Sequence, residues 1–276
     1  GRSMAIFNCS FELEYCHNYS FIFIISVPLA RLNSDMKQNW WKILAVILLV
    51  YTITMGFLSE VPAMFVLRET IRNLYFHVTM WFAMQTLILV SIIYGVKYLL
   101  IQGKIDKGMD ADGSLRLKAV KFDIISKESI NVALVFGAIG IITGSIWAKP
   151  TWGTYWAVQD PKLNGAALGF LMYLIYNVLR NSIKDEDKRA RIAAVFNAFA
   201  FMMFMVFVNV IPRMKDSLHP GNGGNPAFGS YDLDSDMRMV FYPAVIGWIL
   251  FSIWILQIRV RYQKVIRIKE YNEYLD

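Results

Sequence analysis

The chain holds 276 residues, of which 56% are hydrophobic and only 18% charged, whereas soluble domains usually carry about 25% charged residues. With a mean hydropathy of +0.41 and apolar runs recurring along most of its length, it reads as one lipid-embedded helical domain and not as a pair of aqueous ones. The formal charge of +7 does not point to nucleic acid, because membrane proteins gather Lys and Arg in cytoplasmic loops and placement outweighs the sum.

In chain order, residues 1–35 fit poorly with the rest of the sequence. Phe21 to Ala30 is apolar but too short to span, and Glu12 and Glu14 precede it where a signal peptide wants positive charge. Met36-Lys37-Gln38-Asn39-Trp40-Trp41-Lys42 resembles a cytoplasmic start followed by interfacial tryptophans, so residues 1–35 are expected to be an added or upstream extension outside the fold. Both cysteines, Cys9 and Cys16, fall in this segment. The main body therefore has neither a disulfide framework nor a thiolate metal site, and redox compartment cannot be read from the cysteines.

Six apolar stretches come next, at about Trp40 to Leu58, His77 to Leu100, Ile130 to Ile146, Gly165 to Leu179, Ile192 to Ile211 and Val240 to Ile258. The expected fold class is an all-α polytopic membrane bundle of about six transmembrane helices. The fourth needs its flanks, from Leu163 to Arg180, to reach both interfaces. Lys97 to Lys127 carries seven Lys and Arg, Arg180 to Arg191 carries five, and the tail from Arg259 to Lys269 adds five more. The other three connections hold two or three each. This alternation places both termini and the two basic loops in the cytoplasm and the other three loops outside.

The outward face gathers the unusual residues. His77 sits at the outer end of the second helix, and His219 lies between the fifth and sixth. A lone interfacial histidine is more often a satisfied polar group than a ligand, but two imidazoles on one face can also ligate a haem iron axially. A zinc site is disfavoured, since the external loops offer no cysteine and only scattered carboxylates. Between the third and fourth helices, one connection spends Trp147, Trp152, Tyr155 and Trp156 together. It can be an aromatic belt at headgroup level or a planar, apolar platform for a planar ligand, with Lys149 and Lys162 or Arg213 available for propionates. No Walker-type loop, G-x-S-x-G or H-E-x-x-H is present, and Gly221-Asn222-Gly223-Gly224 reads as a flexible loop. Asp123, Glu128 and the Lys184 to Lys188 cluster read as solvated cytoplasmic charges, and the spans show no mid-membrane charge marking an ion relay.

The stretch Thr143-Gly144-Ser145-Ile146-Trp147 through Lys149-Pro150-Thr151-Trp152-Gly153-Thr154-Tyr155-Trp156 resembles the tryptophan-rich signature of the CcmC type of haem-handling proteins of cytochrome c maturation, which belong with the CcmF and CcsA types. The resemblance covers about Lys37 to the C-terminus, making 36–276 a CcmC-like six-helix domain. It departs from the family pattern after Trp156, where Ala157-Val158-Gln159 precede Asp160, with one extra residue and no third tryptophan. The resemblance implies b-type, non-covalent haem at the periplasmic face of the bacterial inner membrane, with His77 and His219 as axial ligands and Trp147, Trp152, Gly153, Tyr155, Trp156 and Asp160 around it. It implies transfer to a membrane-anchored periplasmic haem chaperone beside ABC-transporter ATPase and permease subunits. A bis-His arrangement leaves no open coordination site, so haem delivery is expected and not enzymatic oxygen chemistry. The alternatives are a permease subunit, for which Asn131, Gln85 and Asn197 offer few polar groups within the spans, and a scaffold of the maturation complex that binds no haem.

Overall fold

The computed structural model describes residues 29–62, 65–219 and 233–275, with side chains over 39–62, 65–219 and 233–270. Residues 1–28, which hold Cys9, Cys16, His17 and most of the expected extension, and the Gly-rich run at 221–224 lie outside the described residues. The chain divides into two compact units, Gly1–Trp40 and Trp41–Asp276. Of the first, the described part is helical from Leu29, so a boundary at Met36 falls inside a helix.

The elements are α1 (Leu29–Leu58), α2 (Leu74–Ile105) entered through a 3-10 turn at Arg68–Asn73, α3 (Ser114–Trp152), α4 (Pro161–Ser182), α5 (Glu186–Met205), a π-helical segment at Val206–Val210, α6 (Ile211–Met214) and α7 (Ser235–Leu275). Among the described residues six helical stretches are long and apolar enough to cross a membrane: Asn39–Leu58, Arg68–Ile105, Ser114–Trp152, Pro161–Ser182, Glu186–Met214 and Ser235–Glu270. The protein is thus a multi-pass, all-α membrane bundle, as the hydropathy pattern implies. The short fourth span does take in its flanks.

Helix ends follow local chemistry. Asp160 caps α4, accepting from the backbone N–H of Lys162 and Leu163 with Pro161 in the first turn. Asp185 caps α5 through Lys188 N–H, and Glu186 and Asp187 complement the positive end of its dipole. α3 stops at Gly153, whose φ of +78° places it in the left-handed region that ends helices. Pro212 explains the break after α5. Its ring removes an N–H and crowds the carbonyl four residues back, and the preceding turn widens into the π segment.

α2 lies at the centre, packed along α3 and also against α5 and α7. Met80, Ala83, Met84, Leu87 and Ile88 of α2 meet Ile130, Ala133 and Phe136 of α3, with Tyr173, Tyr176, Ala200, Phe204 and Leu256 completing the core. Small residues bring the backbones together, as in other membrane bundles. A Cβ on Gly137 or Gly140 would lie 2.5 Å from Met84 Sδ or 3.0 Å from Trp81 Nε1, and one on Gly165 would lie 2.1 Å from the Phe207 carbonyl oxygen in the π segment. A buried polar knot ties three helices: Ser91 Oγ donates to Ser126 O (2.7 Å), Ser126 Oγ to Ser91 O (3.0 Å), and Asn197 Nδ2 to Ser91 Oγ (2.7 Å).

The ends of the bundle differ. At one, Arg191 pairs with Asp106 at 2.9 Å and Arg267 reaches Glu186 at 3.4 Å, so the two basic connections and the α7 tail share an end. Two charges here correct the sequence expectation. Glu128 is fully buried, not solvated, with Arg259 at 2.9 Å and Lys127 at 3.4 Å. Asp123 holds buried Arg180 of α4 in a two-oxygen grip, with Nη1 at 2.8 Å from Oδ1. The reason is helix length: α3 continues inward well before its apolar run begins, so these carboxylates face neighbouring helices instead of water, each with a cation.

Candidate functional site

The opposite end is assembled from the start of α2, the end of α3, the connection to α4 and the segment after α6. His77 lies in the first turn of α2, its Nδ1 2.8 Å from the carbonyl oxygen of Gly140 and 3.4 Å from Thr143 Oγ1. Asn73 Nδ2 donates to Thr143 O at 3.1 Å, and Trp147 Nε1 to Thr70 Oγ1 at 3.2 Å. The Trp147 indole meets the His77 ring edge-on, 6.1 Å between centroids. Gly140, Thr143 and Thr70 therefore orient one imidazole and one indole.

His219 is the counterpart. Its ring stands edge-on to Trp152, 4.8 Å between centroids, and its Nδ1 lies 3.5 Å from Asp160 Oδ1. Asp160 Oδ2 accepts from Ser217 Oγ (2.8 Å) and from Leu218 N–H (2.7 Å). Burial raises the Asp160 carboxyl, but the neighbouring His219 ring and the hydrogen bonds from Leu163, Leu218 and Ser217 outweigh it and hold its pKa below the ordinary carboxylate value. In both imidazoles Nδ1 faces a protein acceptor, while Nε2 has no partner among the described residues.

The structure brings His77, Trp147, Trp152, Asp160 and His219 to one end, each within one contact of another. It recasts the tryptophan stretch. Trp147 and Trp152 are not loop residues, because α3 runs on through Pro150 to Trp152; a proline in the last turn costs one hydrogen bond and the helix survives it. The connection proper begins at Gly153, whose part is to end α3 by donating its N–H to Lys149 O at 3.0 Å. Lys149 Nζ donates to Gly153 O (3.0 Å) and sits 5.4 Å from the centroid of the largely exposed Tyr155 ring. Trp156 is half-buried and its backbone closes a small turn with Thr154 Oγ1. Arg213 is exposed beside this end.

Sequence reasoning missed Gly140 and Gly144, which seat His77, and Ser217, which joins Asp160 to the His219 segment. The spacing of Gly137, Gly140 and Gly144 along one face of α3 was the readable signal; nothing marked Ser217.

The donor set suits haem: two imidazoles with Nε2 unengaged at one end of the bundle, and indole edges against both. Comparison with known proteins agrees in kind. A family described as cytochrome c assembly protein matches residues 9–216, taking in His77 and the tryptophan stretch and ending just before His219. The chain is 28% identical over 138 residues to a heme exporter protein C of Paracoccus denitrificans, covering 50% of this chain and 56% of that one. A heme exporter protein C of Bradyrhizobium diazoefficiens is 37% identical over 73 residues, 26% of this chain and 27% of its own. A cytochrome c biogenesis protein CcsA of Prochlorococcus marinus is 34% identical over 91 residues, 33% and 29%. The chain thus spans about half the length of the first of these relatives and under a third of the other two.

Proposed function

The chain belongs to the cytochrome c assembly protein family, which gives it a role in cytochrome c maturation, and from that premise we propose that it binds non-covalent b-type haem as cargo between His77 and His219. The haem is presented at the periplasmic face of the inner membrane and handed to a membrane-anchored chaperone, beside the ABC-transporter subunits of the maturation system. One observation carries the reading: two histidines remote in sequence lie at one end of the bundle, each with Nδ1 beside a protein acceptor and an indole against its ring. The names of the Paracoccus and Bradyrhizobium relatives support haem as the cargo.

When bound, haem supplies an iron that takes both imidazoles and leaves no position open for oxygen chemistry. The chain's own residues do the holding. The Gly140 carbonyl keeps the His77 proton on Nδ1 and frees Nε2 as a donor. Thr70 fixes the Trp147 indole beside that ring, and Trp152 covers His219 from its own side. Lys149 and Arg213 supply positive charge for propionates. Exposed Tyr155 and Val158 give a partner apolar surface next to the cargo.

The test is the absorption spectrum of detergent-purified protein from haem-replete cells. Wild type is expected to show a low-spin Soret band, each of His77→Ala and His219→Ala a reduced one, and the double variant none, with membrane insertion intact in all. A colourless, well-folded wild type co-expressed with its partners would point to a scaffold instead.

A further inference from the structure

Asp160 is 4% exposed, yet it does far more than a helix cap requires. Capping α4 uses only Oδ1, through the N–H groups of Lys162 (2.9 Å) and Leu163 (3.0 Å), and serine or asparagine caps as well. Oδ2 reaches across to the segment after α6, holding Leu218 N–H at 2.7 Å and Ser217 Oγ at 2.8 Å, and Ser217 Oγ in turn accepts His219 N–H at 3.1 Å. His219 Nδ1 lies 3.5 Å from Oδ1, makes no hydrogen bond in this geometry, and has this carboxylate as its neighbouring anion. One carboxylate thus holds the backbone of this histidine's segment and stands within 3.5 Å of its ring nitrogen.

Resting on the haem reading, we propose that Asp160 is the positioning residue of His219, keeping the imidazole proton on Nδ1 so that Nε2 is the ligand. A carboxylate behind a ligating histidine sets its tautomer and orientation and makes it a stronger donor. The two ligands are therefore unequal. His77 leans on a neutral carbonyl, Gly140 O at 2.8 Å, and His219 on an anion. The charge behind His219 favours ferric over ferrous iron and lowers the reduction potential of the bound haem. The sequence resemblance grouped Asp160 with the cofactor contacts; here it acts through the histidine.

The experiment uses the full chain in nanodiscs, labelled with 15N-histidine, with His219→Ala to identify the resonances. Haem-free wild type is expected to show His219 as the Nδ1–H tautomer. Asp160→Ser, which still caps α4 but cannot reach the ring, should give mixed tautomers, a several-fold loss of haem occupancy and a more positive midpoint potential in what remains. Asp160→Asn keeps an acceptor but removes the charge, so it should keep the tautomer and still raise the potential; it also serves if the serine variant fails to fold. A wild type that never takes up haem sinks the reading on which this rests. Haem bound with unchanged tautomer and potential in Asp160→Ser overturns the positioning role alone.

Discussion

Gly144 lets α3 approach α2 closely enough for His77 to sit against its backbone: a Cβ there would lie 2.5 Å from His77 Cε1. Gly144→Ala should therefore lower haem occupancy and cost about 1–3 kcal/mol of stability, the usual penalty for overpacking. Gly103, with nothing within 4 Å of an added Cβ, is the control. Gly103→Ala should stabilise α2 by about 0.5–1 kcal/mol, both read by thermal unfolding in detergent alongside the Soret absorbance. Asp160 gives a pH signature. Its folded pKa is depressed, because its hydrogen bonds outweigh burial, so its contribution is fully present above the ordinary carboxylate value near ~4. It begins to be lost as pH falls below that value and is gone once the pH has passed through the depressed one. Acid unfolding of Asp160→Asn, compared with wild type, should lack this limb.

Between elements, the buried ion pairs fasten α3 to α4 and α7 at the basic end. Glu128 is fully buried and Arg259 lies at its Oε2, so Arg259→Met strands a carboxylate with only Lys127 near it. The expected loss is about 3 kcal/mol, and Glu128→Gln in the same chain should recover much of it, since removing both charges costs less than orphaning one. Chemical denaturation of the two single variants and the double one measures this; additive losses would show that the pair is not coupled. The Ser91, Ser126 and Asn197 knot works in the same way without charge, at the modest strength typical of hydrogen bonds between membrane helices.

For the whole molecule, the six spans bring two basic connections and the α7 tail to one end and His77, His219, Trp147 and Trp152 to the other. The proposed orientation puts the first end, with its Lys and Arg excess, in the cytoplasm. In a cysteine-free background, an impermeant maleimide should label Tyr155→Cys on intact spheroplasts and Asp112→Cys only after lysis. The reverse pattern would invert the protein and remove the periplasmic handover.

Hydropathy determined the number of spans, their rough bounds and which connections are basic, because lipid imposes a composition on every residue of a span and charge placement follows from insertion. The two histidines and the aromatic stretch were legible for the same reason: they are chemically conspicuous wherever they sit. Tertiary structure decided the rest. Glu128 and Asp123 read as loop charges until the length of α3 placed them against Arg259 and Arg180. Trp147 and Trp152 read as loop residues until α3 ran through Pro150. Asp160 meets Ser217 and His219 only because the start of α4 and the segment after α6 lie side by side, and contacts between residues so remote in the chain are set by packing, which no local pattern encodes.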